Sequence, residues 1–161
     1  MHAPQTAPFV PPEGFRPVQF HKGFMKANGP LYMHPVADGV EIGVRVEERH
    51  CNPWDTAHGG FLMTFMDMVL PLSIGWILDR PGPYLTVSLT GDFLGAVRVN
   101  SWLVARARLV RATRSLAFAE GVASVDGEPL FRANITCKLP KGETGRQTAR
   151  QMYETGGEHW Q

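Results

Sequence analysis

Residues 59–76 read GGFLMTFMDMVLPLSIGW, and this stretch decides the fold. Its large apolar residues recur at three- and four-residue intervals, which is the spacing of an α-helix that packs against a core. The residues with this spacing are Phe61, Leu62, Phe65, Met66, Val69, Leu72 and Trp76. The helix is expected to end before Pro81-Gly82-Pro83, because proline cannot continue it. A helix this apolar needs cover on most of its sides.

Strand patterns on both sides of the helix can supply that cover. Before the helix, apolar residues alternate with polar or small ones over 40–46, and 31–36 is expected to pair with this strand across a turn at 37–39. Asp126-Gly127 is a strong signal for a hairpin between the last two strands of the chain. The four strands predicted after the helix cover 84–94, 101–112, 116–125 and 130–139. The predicted fold class is α+β, a curved antiparallel sheet wrapped around one long apolar helix.

Length, charge and cysteine content bound the class of protein. The 161 residues have the length of one domain, expected over 16–140, with a poorly ordered Pro-rich segment at 1–15 and a polar tail at 141–161. A net charge of +1 gives no reason to expect nucleic acid or an anionic membrane as partner. No apolar run reaches the roughly 18 residues of a membrane-spanning helix. The chain starts without a secretory signal, and the isolated Cys51 and Cys137 fit reduced thiols, so the expected compartment is the cytoplasm.

Chemistry is expected where the helix begins, in the stretch NPWDTAHGGFLMTFMD at residues 52–67. An Asn stands six positions before the His of a His-Gly-Gly motif, and an Asp follows that His nine positions later, inside the helix. With this spacing the sequence resembles the hotdog-fold acyl-CoA thioesterases of the phenylacetyl-CoA thioesterase (PaaI-like) type, over roughly residues 29–139. The resemblance implies the hotdog fold and hydrolysis of an aryl- or medium-chain acyl-CoA to the free acid and CoA. It also implies that no cofactor or metal is needed and that the chain assembles as a homodimer or homotetramer.

Gly59, Gly60 and Asp67 have physical reasons to be at these positions. The N–H groups in the first turn of a helix have no intrahelical partner, and glycine lets a thioester carbonyl approach them. By resemblance, the Gly59 N–H is the oxyanion donor and Gly60 contacts the substrate. Asp67 stands in a nearly charge-free helix, where a carboxylate is costly unless it is paired or hydrogen-bonded. We therefore expect a buried Asp67 that acts as nucleophile or general base, with a structural hydrogen bond to a neighbouring strand as the alternative.

Further site residues come from the resemblance alone. It implies that Asn52 and His58 orient the thioester, although His58 could instead bond to the loop backbone. It also implies that Thr86 holds the attacking water. Arg111 and Arg114 stand near a predicted turn and resemble the basic turn with which some relatives bind CoA phosphates. The alternative for these arginines is a solvated hairpin.

The acyl pocket is the least constrained part of the predicted site. Its apolar walls, suited to aryl and medium-chain acyl groups alike, are expected from Trp54, Phe61, Met63 and Phe65. Pro71 departs from the family pattern, because some relatives carry a hydroxyl residue there. Proline removes the amide that would bond to the carbonyl four residues earlier, so we expect a kinked helix and a reshaped pocket.

Helix geometry makes a site shared between two chains the expectation. Gly59 and Asp67 are eight residues apart, about 12 Å along an α-helix. A carbonyl under attack lies ~3–3.5 Å from its nucleophile and ~2.7–3.1 Å from its oxyanion donor, which is too little to bridge that gap. Two helices related by a two-fold axis would bring the two residues together. The resemblance implies Asn52, His58 and Gly59 from one protomer, with Asp67 and Thr86 from its neighbour.

Four other functions are compatible with parts of the sequence. Cys51 beside His50 could be a nucleophile, although nothing beyond adjacency supports a catalytic pair. His50, Asp55 and His58 are residue types that suit zinc, at a spacing that matches no strong motif. A hotdog protein could bind acyl-CoA without turnover, but the retained Asp67 argues against this. A hotdog dehydratase or hydratase fits the Asn-His-Gly-Gly-Asp pattern less well than a thioesterase does.

Overall fold

The structure, a computed structural model, describes residues 9–18, 20, 22–142 and 146–156. In chain order its elements are β1 (Arg16–Val18), α1 (Gly23–Asn28), β2 (Leu31–Val36), β3 (Gly39–Arg45), a 3-10 turn (Glu48–His50), α2 (Gly59–Leu78), β4 (Leu85–Phe93), β5 (Trp102–Ala112), β6 (Leu116–Val125), β7 (Glu128–Lys138) and α3 (Ala149–Thr155). Each predicted strand and the long helix are present. The sequence patterns did not predict β1 and α1, which are too short to show a clear period.

The strands of the described chain form one antiparallel sheet in the order β1-β2-β3-β5-β6-β7-β4. Both predicted hairpins are confirmed, because β2 pairs with β3 and β6 pairs with β7. Asp126 and Gly127 between β6 and β7 have φ values of 50° and 82°. Positive φ at both positions is typical of a type I′ turn, whose twist matches that of the flanking strands. The strand β4 lies beyond β7 and forms one edge of the sheet.

The helix α2 lies on the concave side of the sheet, since it contacts all strands from β3 to β7. Phe65 and Met66 of α2 are fully buried, together with Leu31, Ile42 and Phe131 from three strands. The predicted architecture, a sheet wrapped around one apolar helix, is confirmed. This burial also accounts for the apolar composition of α2.

The expectation that no segment is long and apolar enough to cross a membrane is wrong for α2. This helix of 20 residues is long enough and apolar enough to cross a membrane, and it is the one helix of the described residues with both properties. However, 67% of its most apolar 18-residue stretch is buried inside the fold, as is usual for a core helix. Its apolar surface is therefore covered by the protein's own sheet.

Both terminal segments pack onto this frame. Phe9 and Phe15 contact the Trp102 ring of β5, with ring centroids 5.5 and 5.2 Å away. In the segment predicted as a polar tail, α3 contributes the buried Ala149 and Met152 to the core. The described parts of both predicted terminal segments therefore take part in the fold, whereas residues 1–8, 143–145 and 157–161 of those segments lie outside the described residues.

Candidate active site

Asp67 and Thr86 are joined by a direct hydrogen bond. The Thr86 hydroxyl donates to Oδ1 of Asp67 over 2.7 Å, and this bond links the middle of α2 to the start of β4. The predicted burial of Asp67 is wrong for a single chain, because both residues are exposed. Asp67 lies on the face of α2 that its own sheet leaves uncovered. Burial of this carboxylate requires another molecule.

The buried thiol beside this pair is not an activated nucleophile. Cys137 of β7 pairs with Thr86 and is fully buried. Burial raises the pKa of the Cys137 thiol most, and the negative charge of the Asp67 carboxylate raises it further, to about 11. The thiol is therefore protonated at neutral pH, which leaves no thiolate to attack a thioester there.

At the other end of the candidate site, His58 caps the N-terminus of α2. Its Nδ1 accepts a hydrogen bond from the Gly60 N–H over 2.9 Å, so the proton of the neutral ring is on Nε2. The Gly60 N–H is thus engaged within the chain, whereas the Gly59 N–H has no intrahelical acceptor. A Cβ on Gly59 would lie 3.1 Å from Cε1 of Phe93. Of the two glycine amides, that of Gly59 is the better placed to meet an oxyanion.

Asn52 shapes the loop that leads into α2. Its Oδ1 accepts from the Trp54 N–H over 2.9 Å and from the Thr56 N–H over 3.4 Å, and its Nδ2 donates to the Thr56 hydroxyl over 2.9 Å. Such bonds from an Asn side chain to residues two and four positions later stabilise a tight loop. In the single chain, Asn52 therefore positions the loop before the helix.

The predicted residues thus form two groups, one at the start of α2 and one beside its middle. We call Asn52, His58 and Gly59 the N-terminal half-site, and Asp67 with Thr86 the central half-site. The eight residues from Gly59 to Asp67 correspond to about 12 Å of α-helix. One chain therefore does not bring both half-sites to the same carbonyl.

An apolar cavity of about 230 Å³ lies beside the central half-site. It is enclosed by α1, α2, the segment before β4 and the start of α3. Apolar and aromatic side chains make up most of its wall, including Phe20, Phe24, Met25, Met68, Leu72 and Tyr84. Burial raises the pKa of Tyr84 to about 12, and its neutral hydroxyl donates to the Arg80 carbonyl over 2.6 Å. The cavity suits an apolar group attached to a carbonyl at Asp67.

None of the predicted pocket residues Trp54, Phe61, Met63 and Phe65 lines this cavity. Phe61 and Phe65 face the core instead. Counting in helical steps from Asp67 would have selected Thr64, Pro71 and Gly75, which all line it. No motif could have predicted the part of the wall that α1 and α3 supply, because these two elements are far apart in sequence and meet only in the tertiary fold. The helix continues through Pro71, whose ring forms part of the wall.

Arg111 and Arg114 lie at the end of the sheet that carries Thr86. Thr86 of β4 and Ala117 of β6 pair with the same residue of β7, which lies between them. They are therefore two strand spacings, or about 10 Å, apart. Arg114 stands in the turn three residues before Ala117. Lys138, at the end of β7, is also exposed at this end of the sheet, as are both arginines. The sequence patterns missed Lys138, because no motif marks it and only the pairing of the strands brings it to this end of the sheet.

Neither alternative site near the start of α2 is formed. The Cys51 thiol donates to the Glu47 carbonyl over 3.4 Å, and burial raises its pKa. His50 is buried, which lowers its pKa to about 4. Within the described ranges, no group of three His, Cys, Asp or Glu side chains could hold a metal ion. A zinc site from His50, Asp55 and His58 is therefore not assembled there.

Comparison with known proteins gives concordant matches. Residues 55–130 match the model of the thioesterase superfamily. A Pseudomonas aeruginosa protein named as an esterase is 35% identical over 109 residues, which cover 67% of this chain and 81% of that protein. Among solved structures, a Streptococcus pneumoniae protein described as a thioesterase, with coenzyme A, aligns with a TM-score of 0.63 and 19% identity over 71% of this chain and 88% of its own. A Ralstonia eutropha protein related to phenylacetic acid degradation, also described as a thioesterase, aligns with a TM-score of 0.62 and 26% identity over 68% and 84%. The predicted fold and family resemblance are confirmed.

Proposed function

This chain belongs to the thioesterase superfamily, and from that premise we propose that it hydrolyses an aryl- or medium-chain acyl-CoA to the free acid and CoA. The observation that carries the proposal is the hydrogen-bonded pair of Asp67 and Thr86 beside an apolar cavity. The pair supplies a carboxylate and a hydroxyl, and the cavity supplies a place for the acyl group. Free thiols at Cys51 and Cys137 fit a cytoplasmic enzyme.

The chemistry assigns each half-site a role. Hydrolysis breaks the C–S bond of the thioester; the acyl carbon gains a hydroxyl from water, and the leaving thiolate takes up a proton. Asp67 either attacks the carbonyl carbon to form an anhydride that water opens, or removes a proton from the attacking water. The Thr86 hydroxyl donates a hydrogen bond to Asp67, and its oxygen can accept a hydrogen bond from that water. The Gly59 N–H stabilises the oxyanion, a contribution of roughly 3 kcal/mol in other acyl-transfer enzymes.

We propose that the two half-sites meet between two copies of the chain. The edge strand β4 and the residue after it carry large apolar side chains that are more than half exposed: Leu85, Val87, Phe93 and Leu94. A long apolar edge is rarely left uncovered, because it pairs readily with another strand. A two-fold partner at this edge would cover it and bring Gly59 of one chain to Asp67 of the other. Exposed Val110 and Val122 on β5 and β6 offer a second surface for pairing of dimers into a tetramer.

The basic end of the sheet is the proposed site for the nucleotide portion of CoA. Arg111, Arg114 and Lys138 are exposed at the end of the sheet that carries Thr86. Guanidinium groups bind phosphate oxygens with two parallel hydrogen bonds, and lysine adds a point charge. This arrangement would hold the phosphates while the thioester lies at Asp67.

Mixing two inactive variants tests both the chemistry and the sharing of the site. Asp67→Asn removes the carboxylate, and Gly59→Pro removes only the N–H, since proline is tolerated in the first helical turn. The two are unfolded and refolded together, and thiol release from a panel of aryl- and medium-chain acyl-CoAs is measured. In a mixed dimer with shared sites, one site carries both defects and the other is intact. Random pairing makes half of the dimers mixed, so roughly a quarter of wild-type activity should return.

Gly59→Ala is the matched control for Gly59→Pro. It places the same Cβ against Phe93 but keeps the N–H, so it should retain activity. No recovery in the mixture, with mixed dimers confirmed by mass spectrometry, would contradict the shared site. Binding of acyl-CoA by the wild type without any thiol release would support a non-catalytic acyl-CoA-binding protein instead.

A further inference from the structure

Gln147 carries a buried polar atom beside the cavity. It lines the cavity beside Asp67, and its Oε1 is buried with no donor among the described residues. A buried acceptor that is left unsatisfied destabilises the folded protein. The partner of this oxygen is therefore expected in whatever fills the cavity.

The position of Gln147 makes a polar residue unexpected on structural grounds. Thr148 is the N-cap of α3, with its hydroxyl accepting from the Gln151 N–H over 3.2 Å, so Gln147 is the residue before the cap. An apolar residue there would pack against the fourth residue of the helix, here Met152, which also lines the cavity. The nearby Gln151 uses its Oε1 to accept from the Thr148 N–H over 2.9 Å. One glutamine amide closes the helix cap, and the oxygen of the other has no hydrogen-bond partner among the described residues.

Ala149, two residues after Gln147, lies at the end of the cavity far from Asp67. The Cβ of Ala149 lies 3.7 Å from where a Cβ would stand on Gly75. Gly75 follows Asp67 by eight residues, about 12 Å along α2. After ~3 Å for the attacked carbonyl and ~3 Å for a hydrogen bond to the amide, roughly 6 Å remains. That length accommodates an aryl ring or a short chain.

We propose that the cavity binds an acyl group whose distal end carries a hydroxyl, and that this hydroxyl donates to Oε1 of Gln147. The inference rests on the proposed function, because it takes the acyl carbonyl to lie at Asp67. Between the two polar ends the wall is largely apolar, including Met68, Leu72 and Met152. The preferred substrate is then apolar in the middle and polar at its tip. Gln147 is a specificity residue that disfavours acyl groups without a donor at the tip.

Matched pairs of thioesters test this preference. The pairs are hexanoyl-CoA with 6-hydroxyhexanoyl-CoA, and 3-phenylpropanoyl-CoA with its 4-hydroxyphenyl counterpart. For the wild type, we expect kcat/KM of at least one hydroxylated ester to exceed that of its partner about tenfold, the worth of one buried hydrogen bond. Gln147→Met has a similar length but no amide, and it should abolish the preference. Gln147→Glu keeps an acceptor and should retain it, and Gln151→Met, which alters only the helix cap, should leave it unchanged.

Several outcomes would overturn the inference while leaving the proposed function intact. They are a kcat/KM ratio within about twofold for both pairs in the wild type, or an unchanged preference in a folded Gln147→Met. The wild-type ratio decides the matter even where a variant does not fold. If no ester is hydrolysed, the proposed function fails, and calorimetric binding of the four free acids decides the inference. Tighter binding of a hydroxylated acid that is lost in Gln147→Met supports it, and equal or absent binding overturns it.

Discussion

The two half-sites lie on the same helix but are built in different ways. In the N-terminal half-site the side-chain bonds are local, as Asn52 bonds to residues up to four positions away and His58 bonds to Gly60. In the central half-site, Asp67 and Thr86 are 19 residues apart and meet only because β4 lies beside α2. The adjacent cavity depends on both ends of the chain. The donor half can form with its loop, whereas the carboxylate half requires the finished sheet.

This difference has a functional consequence. In the proposed reaction, the N-terminal half-site offers a backbone N–H, which responds little to side-chain replacement and would act on the carbonyl common to all thioesters. The central half-site offers side chains and a cavity, which vary with sequence and would contact the part of the substrate that differs. Reaction type is therefore expected to depend on both half-sites, and substrate choice on the central one.

The largest effect is expected from removal of the central carboxylate. Asp67→Asn keeps the shape of the side chain but loses its capacity as base or nucleophile, so kcat should fall by ~10²–10⁴-fold or more. Asp79→Asn is the matched control, because Asp79 is an exposed carboxylate at the C-cap of the same helix, 3.6 Å from Arg150. Steady-state thiol release measures both. Activity of Asp67→Asn within about threefold of wild type would remove Asp67 from the mechanism.

A smaller effect is expected at Thr86, which would separate orientation from chemistry in the central half-site. Thr86→Val has nearly the same shape but cannot donate to Asp67, and we expect kcat to fall about tenfold, since hydrogen bonds to charged groups are worth roughly 1.5–3 kcal/mol. Thr86→Ser restores the hydroxyl and should recover most of the activity. Equal rates for the valine and serine variants would mean that the 2.7 Å bond has no role in turnover.

The basic end of the sheet should influence substrate binding alone. Arg111→Gln combined with Arg114→Gln is expected to raise KM for acyl-CoA several-fold while kcat stays near wild type, because exposed phosphate contacts contribute modestly. An acyl-pantetheine thioester, which lacks the nucleotide, should show little change. The same rise in KM for both substrates would assign these arginines a different role.

At neutral pH the smallest effect on turnover is expected from His50, which supports the N-terminal half-site by accepting the His58 N–H at its carbonyl. Burial lowers the pKa of His50 from 6.5 to about 4. Between these values the unfolded chain binds more protons than the folded one, so stability falls as pH drops below 6.5 and is unaffected above it. From pH 7 to pH 5 the contribution of His50 should fall by about 2 kcal/mol. Urea unfolding of the wild type and of His50→Asn measures this, and identical pH slopes for the two would contradict it.

Residue spacing alone predicted the long helix, the strands β2 to β7 and the Asp126-Gly127 hairpin. These features depend on local periods of 3.6 and 2 residues and on turn chemistry, which a single sequence displays. The motif from Asn52 to Asp67 pointed to the N-terminal half-site for the same reason, since its bonds join near neighbours. The separation of Gly59 and Asp67 followed from helix geometry before any coordinates.

Tertiary structure alone decided the rest of the site. The exposure of Asp67 depends on which face of α2 the sheet leaves open, and an apolar sequence on every side gives no sign of that face. The cavity wall combines Phe24 near one end of the chain with Gln147 near the other, and no local pattern relates residues so far apart. Phe61 and Phe65, two of the expected pocket residues, face the core because a helix rotates by about 100° per residue, so that Phe65 and Asp67, two residues apart, point to nearly opposite faces. Sequence by itself determined which residues are proposed to bear the chemistry, because they stand in a local motif, and packing determined what they face.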